Sequence, residues 1–453
     1  MLDHTLFLHK TAKYHTLGCK LNFSETATFA KQLEALGVEA IEGPQPADLC
    51  LINTCSVTEV ANQKGRQLIK RLVRENPQAF VVVTGCFAQL LPKEVGEIKG
   101  VDLVLGNDEK VNLVQLVCEF WAEKLKNDPK RLLTITSSVK KARDITSFTQ
   151  SCSCGNRTRY FLKVQDGCNY YCTYCTIPFA RGFSRNPSIA SLVEQAEEVV
   201  NAGGKEIVLT GVNIGDFGQS TGESFLDLVK ALDKVEGIQR YRISSLEPDL
   251  LTDELIAYCA QSRAFMPHFH IPLQSGSDEV LRLMHRRYDT ELFAHKIDLI
   301  KKYMPDAFIG VDVMVGTRGE TEEFFEQSHA FLQSQDVSQL HVFPYSERPG
   351  TAALRIPHIV SPAEKKERAQ RLLDLSEQKT HAFYAKHIGQ ERIVLFEKAS
   401  KGRDMHGFTD NYLRAELPAE LAKDEYDNQL VKVRLGGFNA DKTALMAELI
   451  QIV

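Results

Sequence analysis

No apolar run in this 453-residue chain reaches the ~18 residues needed to cross a bilayer. Charge of one sign is also scarce: the net charge is −5, with a pI near 6.3. Global charge therefore does not advertise nucleic-acid binding, and an RNA partner would have to be held by local patches. The N-terminal stretch MLDHTLFLHKTAKYH has lysines and histidines but no long apolar core, so a signal peptide is not expected. No internal repeat is visible. What remains is an ordinary globular balance, 43% hydrophobic and 25% charged, in a chain too long for one core. The expected location is the cytoplasm. In that reducing compartment disulfides are rare, so the eleven cysteines point to metal or redox roles.

Residues 1–145 read as alternating strand and helix. Strand signals fall at Lys13–Leu17, Ala47–Asn53, Phe80–Thr84 and Val101–Leu105, with helices over about Ser24–Leu36, Asn62–Glu75 and Glu109–Leu125. That alternation predicts a doubly wound parallel α/β domain. Residues ~126–157 are polar and basic (Lys130, Arg131, Lys140, Lys141, Arg143) and read as a linker. Over 146–385 the alternation resumes at longer spacing, with six strand candidates from Tyr160–Val164 to Gln339–Phe343. This predicts a full or partial (β/α) barrel of the TIM-like kind. A long charged helix over Ser361–Ile388 would bridge to residues 386–453, whose short alternating runs predict a small all-β barrel.

Cys168, Cys172 and Cys175 form the strongest local signal. Three thiolates in a polar loop after a strand can grip three irons of a cubane cluster, leaving the fourth iron open. A zinc site usually wants four protein ligands, and no fourth is obvious nearby. Tyr174 stands between the last two cysteines, where it could cover the cluster and a bound nucleobase. A second triad is dispersed. Cys19, Cys55 and Cys86 each follow a predicted strand, and ligands of open α/β sheets gather beyond the carboxyl ends of strands. Any one of these could instead be a buried structural thiol.

The loop CNYYCTYC resembles the CxxxCxxC loop of radical S-adenosylmethionine enzymes. Taken with TLGCKLN, NTCSVT, TGC, LTGVNIGDFG, RISSLEP, HIPLQSGSDEVL, VFPYSERPGTAA and GFTDNYLRAE, the chain is similar to the methylthiotransferase family over nearly its whole length. The phrasing GCKLN, CTIPFARG and RISSLEP is most similar to the branch acting on threonylcarbamoyladenosine in tRNA. The isopentenyladenosine branch and the branch acting on a ribosomal-protein aspartate are alternatives.

The resemblance implies two 4Fe-4S clusters, one on each triad, and two uses of S-adenosylmethionine. One molecule would methylate a sulfur on the auxiliary cluster of Cys19, Cys55 and Cys86. The other would yield a radical at the Cys168, Cys172 and Cys175 cluster. That radical takes hydrogen from C2 of the adenine beside the anticodon, position 37, and the methylthio group is delivered there. The implied partners are the tRNA anticodon stem-loop, an electron donor and a sulfur source. No membrane is implied, and the chain is expected to act as a monomer. The terminal barrel would be an RNA-binding TRAM domain.

Polar residues at barrel strand ends read as catalytic or binding. By resemblance, Gly211, Asn213, Ser244, Glu247, Gln274 and Asp312 surround S-adenosylmethionine, with Phe343 near its adenine. Each could equally cap a loop. A threonylcarbamoyl carboxylate suits a bidentate arginine, so Arg181, Arg185 and Arg318 are candidates; phosphate binding or a solvated charge is the other reading. Arg318 and Thr317 also depart from the GFPGET phrase common in the family. Phe408 and Tyr412 could stack on bases, beside Lys398, Lys401, Arg403, Arg414, Lys432 and Arg434. Cys152 and Cys154 are read as an exposed pair without function, and Cys50, Cys118 and Cys259 as core thiols.

Overall fold

Six strands near the N-terminus pair in parallel because each is joined to the next across a sheet face. The computed structural model describes residues 4–125, 133–135, 145–153 and 158–453. The strands are β1 (Thr11–Thr16), β2 (Glu39–Ala40), β3 (Leu49–Thr54), β4 (Phe80–Gly85), β5 (Leu103–Leu105) and β6 (Leu133–Ile135). Their order is β2-β1-β3-β4-β5-β6, all parallel. Every residue of β3 and β4 is buried, as apolar runs become when helices cover both faces. The chain winds one way from β1 to β2 and the other way from β3 onward. The crevice at the carboxyl ends of β1 and β3 is therefore a topological switch point.

Two features were not read from the sequence. The two-residue β2 is exposed and lacks an apolar signature. β6 falls inside the stretch read as a linker, yet it completes the sheet. The basic residues Lys130, Arg131, Lys140, Lys141 and Arg143 lie outside the described residues, as does Cys154. Cys152 is half-buried and not free at a surface: it pairs antiparallel with Leu162 along the edge of the next sheet.

That sheet is the first half of a partial barrel. β7 (Arg159–Lys163), β8 (Glu206–Thr210) and β9 (Arg240–Ile243) form one parallel triple. β10 (His268–Gln274), β11 (Phe308–Val315) and β12 (Gln339–Pro344) form another. The triples meet at a Tyr241–Phe265 bridge and where the Leu246 N–H donates to the His270 carbonyl at 3.0 Å. One apolar core runs behind both. The helix Pro362–Ala385 starts with a Ser361–Glu364 capping box and lies along β12, where the Ser376 hydroxyl bonds the Leu340 backbone.

The C-terminal barrel closes through β13 (Glu391–Phe396), β14 (Met405–Thr409), β15 (Arg414–Leu417), β16 (Leu430–Phe438) and β17 (Leu445–Ile452). The alternating run Gly407–Leu413 divides into the end of β14 and a turn, with Tyr412 at φ 64°. This barrel docks on the amino-terminal end of the central strands. Arg240 donates to the Phe408 and Ile393 carbonyls, and Arg242 to those of Asp410 and Thr409, at 2.7–2.8 Å. Arg242 is also paired with buried Glu206 at 2.9 Å.

Candidate active site

The second triad sits where the switch point predicts. Cys19 follows β1 by three residues, while Cys55 and Cys86 directly follow β3 and β4. β1, β3 and β4 are adjacent, so the three thiols converge on one sheet end. Gly18, at φ 103°, makes this possible: a Cβ there would lie 2.6 Å from the Cys55 Cβ and 2.8 Å from its sulfur. Asn22 ties the loops together by donating to the Leu17 and Thr54 carbonyls at 2.9 and 3.0 Å. Burial pushes the Cys55 thiol up to about 11, and the neighbouring Cys86 adds to this.

The other triad occupies the loop after β7. Gly167, at φ 74°, passes against the next turn; a Cβ there would meet the Phe183 carbonyl oxygen at 1.9 Å. The Cys168 N–H donates to the Gly182 carbonyl and the Cys175 N–H to that of Cys172, both at 3.0 Å. Burial raises Cys168 and Cys175 to about 12. Thiols held this way become thiolates when a metal centre supplies positive charge. Among the described residues, no three His, Cys, Asp or Glu side chains converge tightly enough to hold a single ion. A cubane, in which each thiolate binds its own iron, suits both triads better.

Several candidates gather at the carboxyl end of the central barrel. Tyr174, Cys175, Gln274, Asp312 and Phe343 line one pocket of about 230 Å³, together with Val57 and Thr58 from the N-terminal domain. Gln274 sits at φ 69°, where the β10–β11 register shifts, a strained conformation for a residue with a side chain. Asp312 Oδ1 accepts from His270 Nε2 at 2.7 Å. Gly211 and Asn213 lie beside the cluster loop. Gln165 joins them: its Oε1 accepts from the Val212 and Asn213 N–H groups, while its Nε2 donates to the Asp166 and Gly167 carbonyls. Ser244 is buried at the end of β9.

Glu247 reaches the loop through a residue that the sequence reading missed. The Arg286 side chain contacts Glu247 and donates to the Cys172 sulfur at 3.0 Å and to the Tyr288 hydroxyl at 2.9 Å. Burial raises Glu247 to about 7, against the opposing pull of Arg286.

A buried ionic network lies between the two triads. Glu25 contacts Lys110 and pairs with Lys163 at 2.9 Å and Arg181 at 3.2 Å. Asp166 pairs with Lys163, Arg181 and Arg185 at 2.7, 2.9 and 3.4 Å. Burial alone would raise Glu25, but Arg181, Lys110 and Lys163 outweigh it and hold the carboxyl well below the usual range. Four cations face two carboxylates, so positive charge is in excess, and Arg181 is within electrostatic reach of Cys86 and Cys19. An anionic cluster on that triad fits this surplus. Asn107 links the same parts by donating to the Ala180 carbonyl at 2.9 Å.

The structure corrects two expectations, one on arginines and one on aromatic rings. Arg181 and Arg185 are buried and satisfied by Glu25, Asp166 and backbone carbonyls, so they are not free to take a substrate carboxylate. Arg318 is also taken, by Glu347 at 2.7 Å and the Leu354 carbonyl at 3.0 Å. Phe408 and Tyr412 stack on each other at 4.7 Å in the inter-barrel interface. Tyr412 further packs on His268, while Arg242 lies over its ring. Their faces meet protein and not bases. Lys398, Lys401, Arg403 and Arg434 are exposed; Arg414 and Lys432 are half-buried. Cys50, Cys118 and Cys259 are buried in the core as read.

Comparison with known proteins agrees with this layout. Residues 11–106 match the "Uncharacterized protein family UPF0004", and residues 162–332 match the radical SAM superfamily. The chain is 38% identical to the threonylcarbamoyladenosine tRNA methylthiotransferase MtaB of Bacillus subtilis, over 94% of this chain and 93% of that one. It is 35% identical to the Thermotoga maritima protein of the same name, over 90% and 91%. It is also 33% identical to a tRNA-2-methylthio-N(6)-dimethylallyladenosine synthase of Bartonella tribocorum, over 85% and 86%. Among solved structures, the radical S-adenosylmethionine methyltransferase TsrM of Kitasatospora setae has the same kind of fold. Its TM-score is 0.56 at 12% identity, over 98% of this chain and 86% of that one. With both domains matched and relatives this similar over almost their full length, the chain belongs to the radical S-adenosylmethionine methylthiotransferase family.

Proposed function

We propose that this protein adds a methylthio group to C2 of N6-threonylcarbamoyladenosine beside the anticodon of tRNA. One observation carries the reading: two cysteine triads, on different domains, flank one ionic network, and the pocket at the barrel mouth is lined by Cys175 together with Val57 and Thr58, which follow Cys55. Cys168, Cys172 and Cys175 would hold one 4Fe-4S cluster, and Cys19, Cys55 and Cys86 the other. When bound, the clusters and S-adenosylmethionine supply one-electron cleavage and the transferred sulfur.

The chain's own residues orient and shield that chemistry. Gln165 fixes the cluster loop against Gly211 and Asn213. Arg286 donates to a ligand sulfur. Gln274, Asp312 and Tyr174 offer polar contacts in the pocket, while Val57, Met314, Phe343 and Pro344 exclude water. The surplus cations beside Arg181 balance charge at the auxiliary triad. The names of the most similar relatives support the threonylcarbamoyl substrate. A tRNA substrate supports a cytoplasmic reaction; no described helix is long and apolar enough to cross a membrane. The exposed lysines and arginines of the terminal barrel would meet tRNA phosphates.

The test is anaerobic turnover of the reconstituted protein on tRNA bearing threonylcarbamoyladenosine or isopentenyladenosine, read by nucleoside mass spectrometry. Methylthiolation of the first alone is expected. Methylthiolation of the second alone would move the chain to the other tRNA branch. With neither modified, the ribosomal-protein reading takes its place.

A further inference from the structure

We propose that Arg348 is a positioning residue: it sets the spacing between the two cysteine loops and so couples radical formation to sulfur transfer. The inference deepens the function proposed above and rests on that reading. Residues 346–353 follow β12 at its carboxyl end and touch both loops. At one end, Arg348 donates to the Ser56 hydroxyl at 3.0 Å and to Glu59 Oε2 at 2.9 Å. Ser56 directly follows Cys55, and Glu59 opens the helix Glu59–Glu75. The Glu59 N–H donates back to the Ser346 hydroxyl at 3.2 Å. At the other end, the Ala353 N–H donates to the Thr173 carbonyl at 2.9 Å, and Thr173 lies between Cys172 and Cys175.

This bridge is braced along its length. The Thr351 hydroxyl donates to the Arg348 carbonyl at 2.7 Å. Arg318 holds it from the barrel side, through Glu347 at 2.7 Å and the Leu354 carbonyl at 3.0 Å. Just ahead of it, the Tyr345 N–H donates to the Val315 carbonyl of β11 at 2.8 Å. Arg348 and Ser56 are both buried. A buried guanidinium is costly unless its partners are held in place, so the Ser56 and Glu59 contact has one favoured geometry. The contact falls on the Cys55 loop itself, whereas the Glu25 network grips the N-terminal domain elsewhere. It also adjoins the pocket, which Val57 and Thr58 line from one domain and Tyr345 and Ser346 from the other. A sulfur presented at the Cys55 triad must come into near contact with the substrate carbon, so a displaced loop leaves the radical with no sulfur to meet.

The test compares wild type with Arg348→Gln, Arg348→Lys and Glu59→Ala, all loaded with iron, on tRNA bearing threonylcarbamoyladenosine. The first readout is the 5′-deoxyadenosine formed per methylthio nucleoside. It is expected to rise roughly tenfold in Arg348→Gln, as for loss of one charge-assisted hydrogen bond, and less in Arg348→Lys. Adding Glu59→Ala to Arg348→Gln should raise it no further, because both remove the same contact. The second readout is the distance between the two reduced clusters by pulsed electron paramagnetic resonance. A single distance is expected in wild type and a broadened one in Arg348→Gln. Iron content monitors loading; if Arg348→Gln loads poorly, Glu59→Ala, at a side chain 45% exposed, reads both quantities. The proposal is overturned, with the substrate reading intact, if either the ratio or the distance is unchanged in a loaded variant. If wild type makes no methylthio nucleoside, the function proposed above fails, and the distance readout alone decides whether Arg348 sets the spacing.

Discussion

The guanidinium of Arg286 donates to the sulfur of Cys172 at 3.0 Å, although 114 residues separate them in the chain. A cation hydrogen-bonded to a ligand sulfur stabilises the reduced form of a cluster. Arg286→Gln should therefore make the potential of the Cys168–Cys175 cluster more negative by on the order of 60 mV, the one-electron equivalent of a charge-assisted hydrogen bond. A redox titration followed by electron paramagnetic resonance measures this; an unchanged or more positive potential would refute it.

The two triads should separate by function. Cys172→Ala is expected to abolish reductive cleavage of S-adenosylmethionine. Cys19→Ala should retain cleavage in the presence of tRNA but give no methylthio nucleoside. Each variant should lose about one cluster's iron, because one of three ligands is gone. Finding methylthio product with Cys19→Ala would remove the auxiliary role from this triad.

Glu25→Gln should destabilise the protein by about 3–5 kcal/mol at pH 7, since it leaves Lys110, Lys163 and Arg181 buried with too little negative charge. The folded carboxyl titrates well below its ordinary 4.5, so its contribution is complete above that value and is lost as pH falls through the folded value. Wild type and variant should converge in acid. Thermal unfolding across a pH series checks both the size and the direction.

Tyr412→Ala should act on domain docking and not on RNA. The ring packs on His268 and Phe408, and its hydroxyl accepts from Arg159 at 3.2 Å. Hydrogen exchange should rise in β14 and β15, with a stability loss smaller than the about 3–5 kcal/mol of a fully buried ring, since Tyr412 is half-buried. Lys401→Ala with Arg403→Ala should instead weaken tRNA binding and flatten its salt dependence. A tRNA affinity loss for Tyr412→Ala without greater exchange would restore the stacking role.

The cysteines were legible because their chemistry is written in short-range spacing and in position after strands. The parallel sheet and partial barrel were legible for the same local reason. Arg286, Gln165, Glu25 and Lys110 were not, since each acquires its meaning from a partner far along the chain. Arg181 and Arg185 misled for a related reason: a cationic loop looks like a ligand site until Glu25 and Asp166 are seen beneath it. Phe408 and Tyr412 sit on a strand pattern that marks an aromatic face but says nothing about whether protein or RNA covers it.

The Glu25 network also bears on how the chain is made. Its members come from residues 25 and 110 on one side and 163, 166, 181 and 185 on the other. During synthesis the N-terminal sheet leaves the ribosome with Glu25 answered by Lys110 alone, while most of the cations that complete the network are still unmade. The docked arrangement of the two domains must wait until Arg185 has emerged. On the function proposed above, iron delivered earlier would meet the Cys19, Cys55 and Cys86 triad without its surplus of positive charge, so cluster insertion there is best timed after translation has passed the second triad.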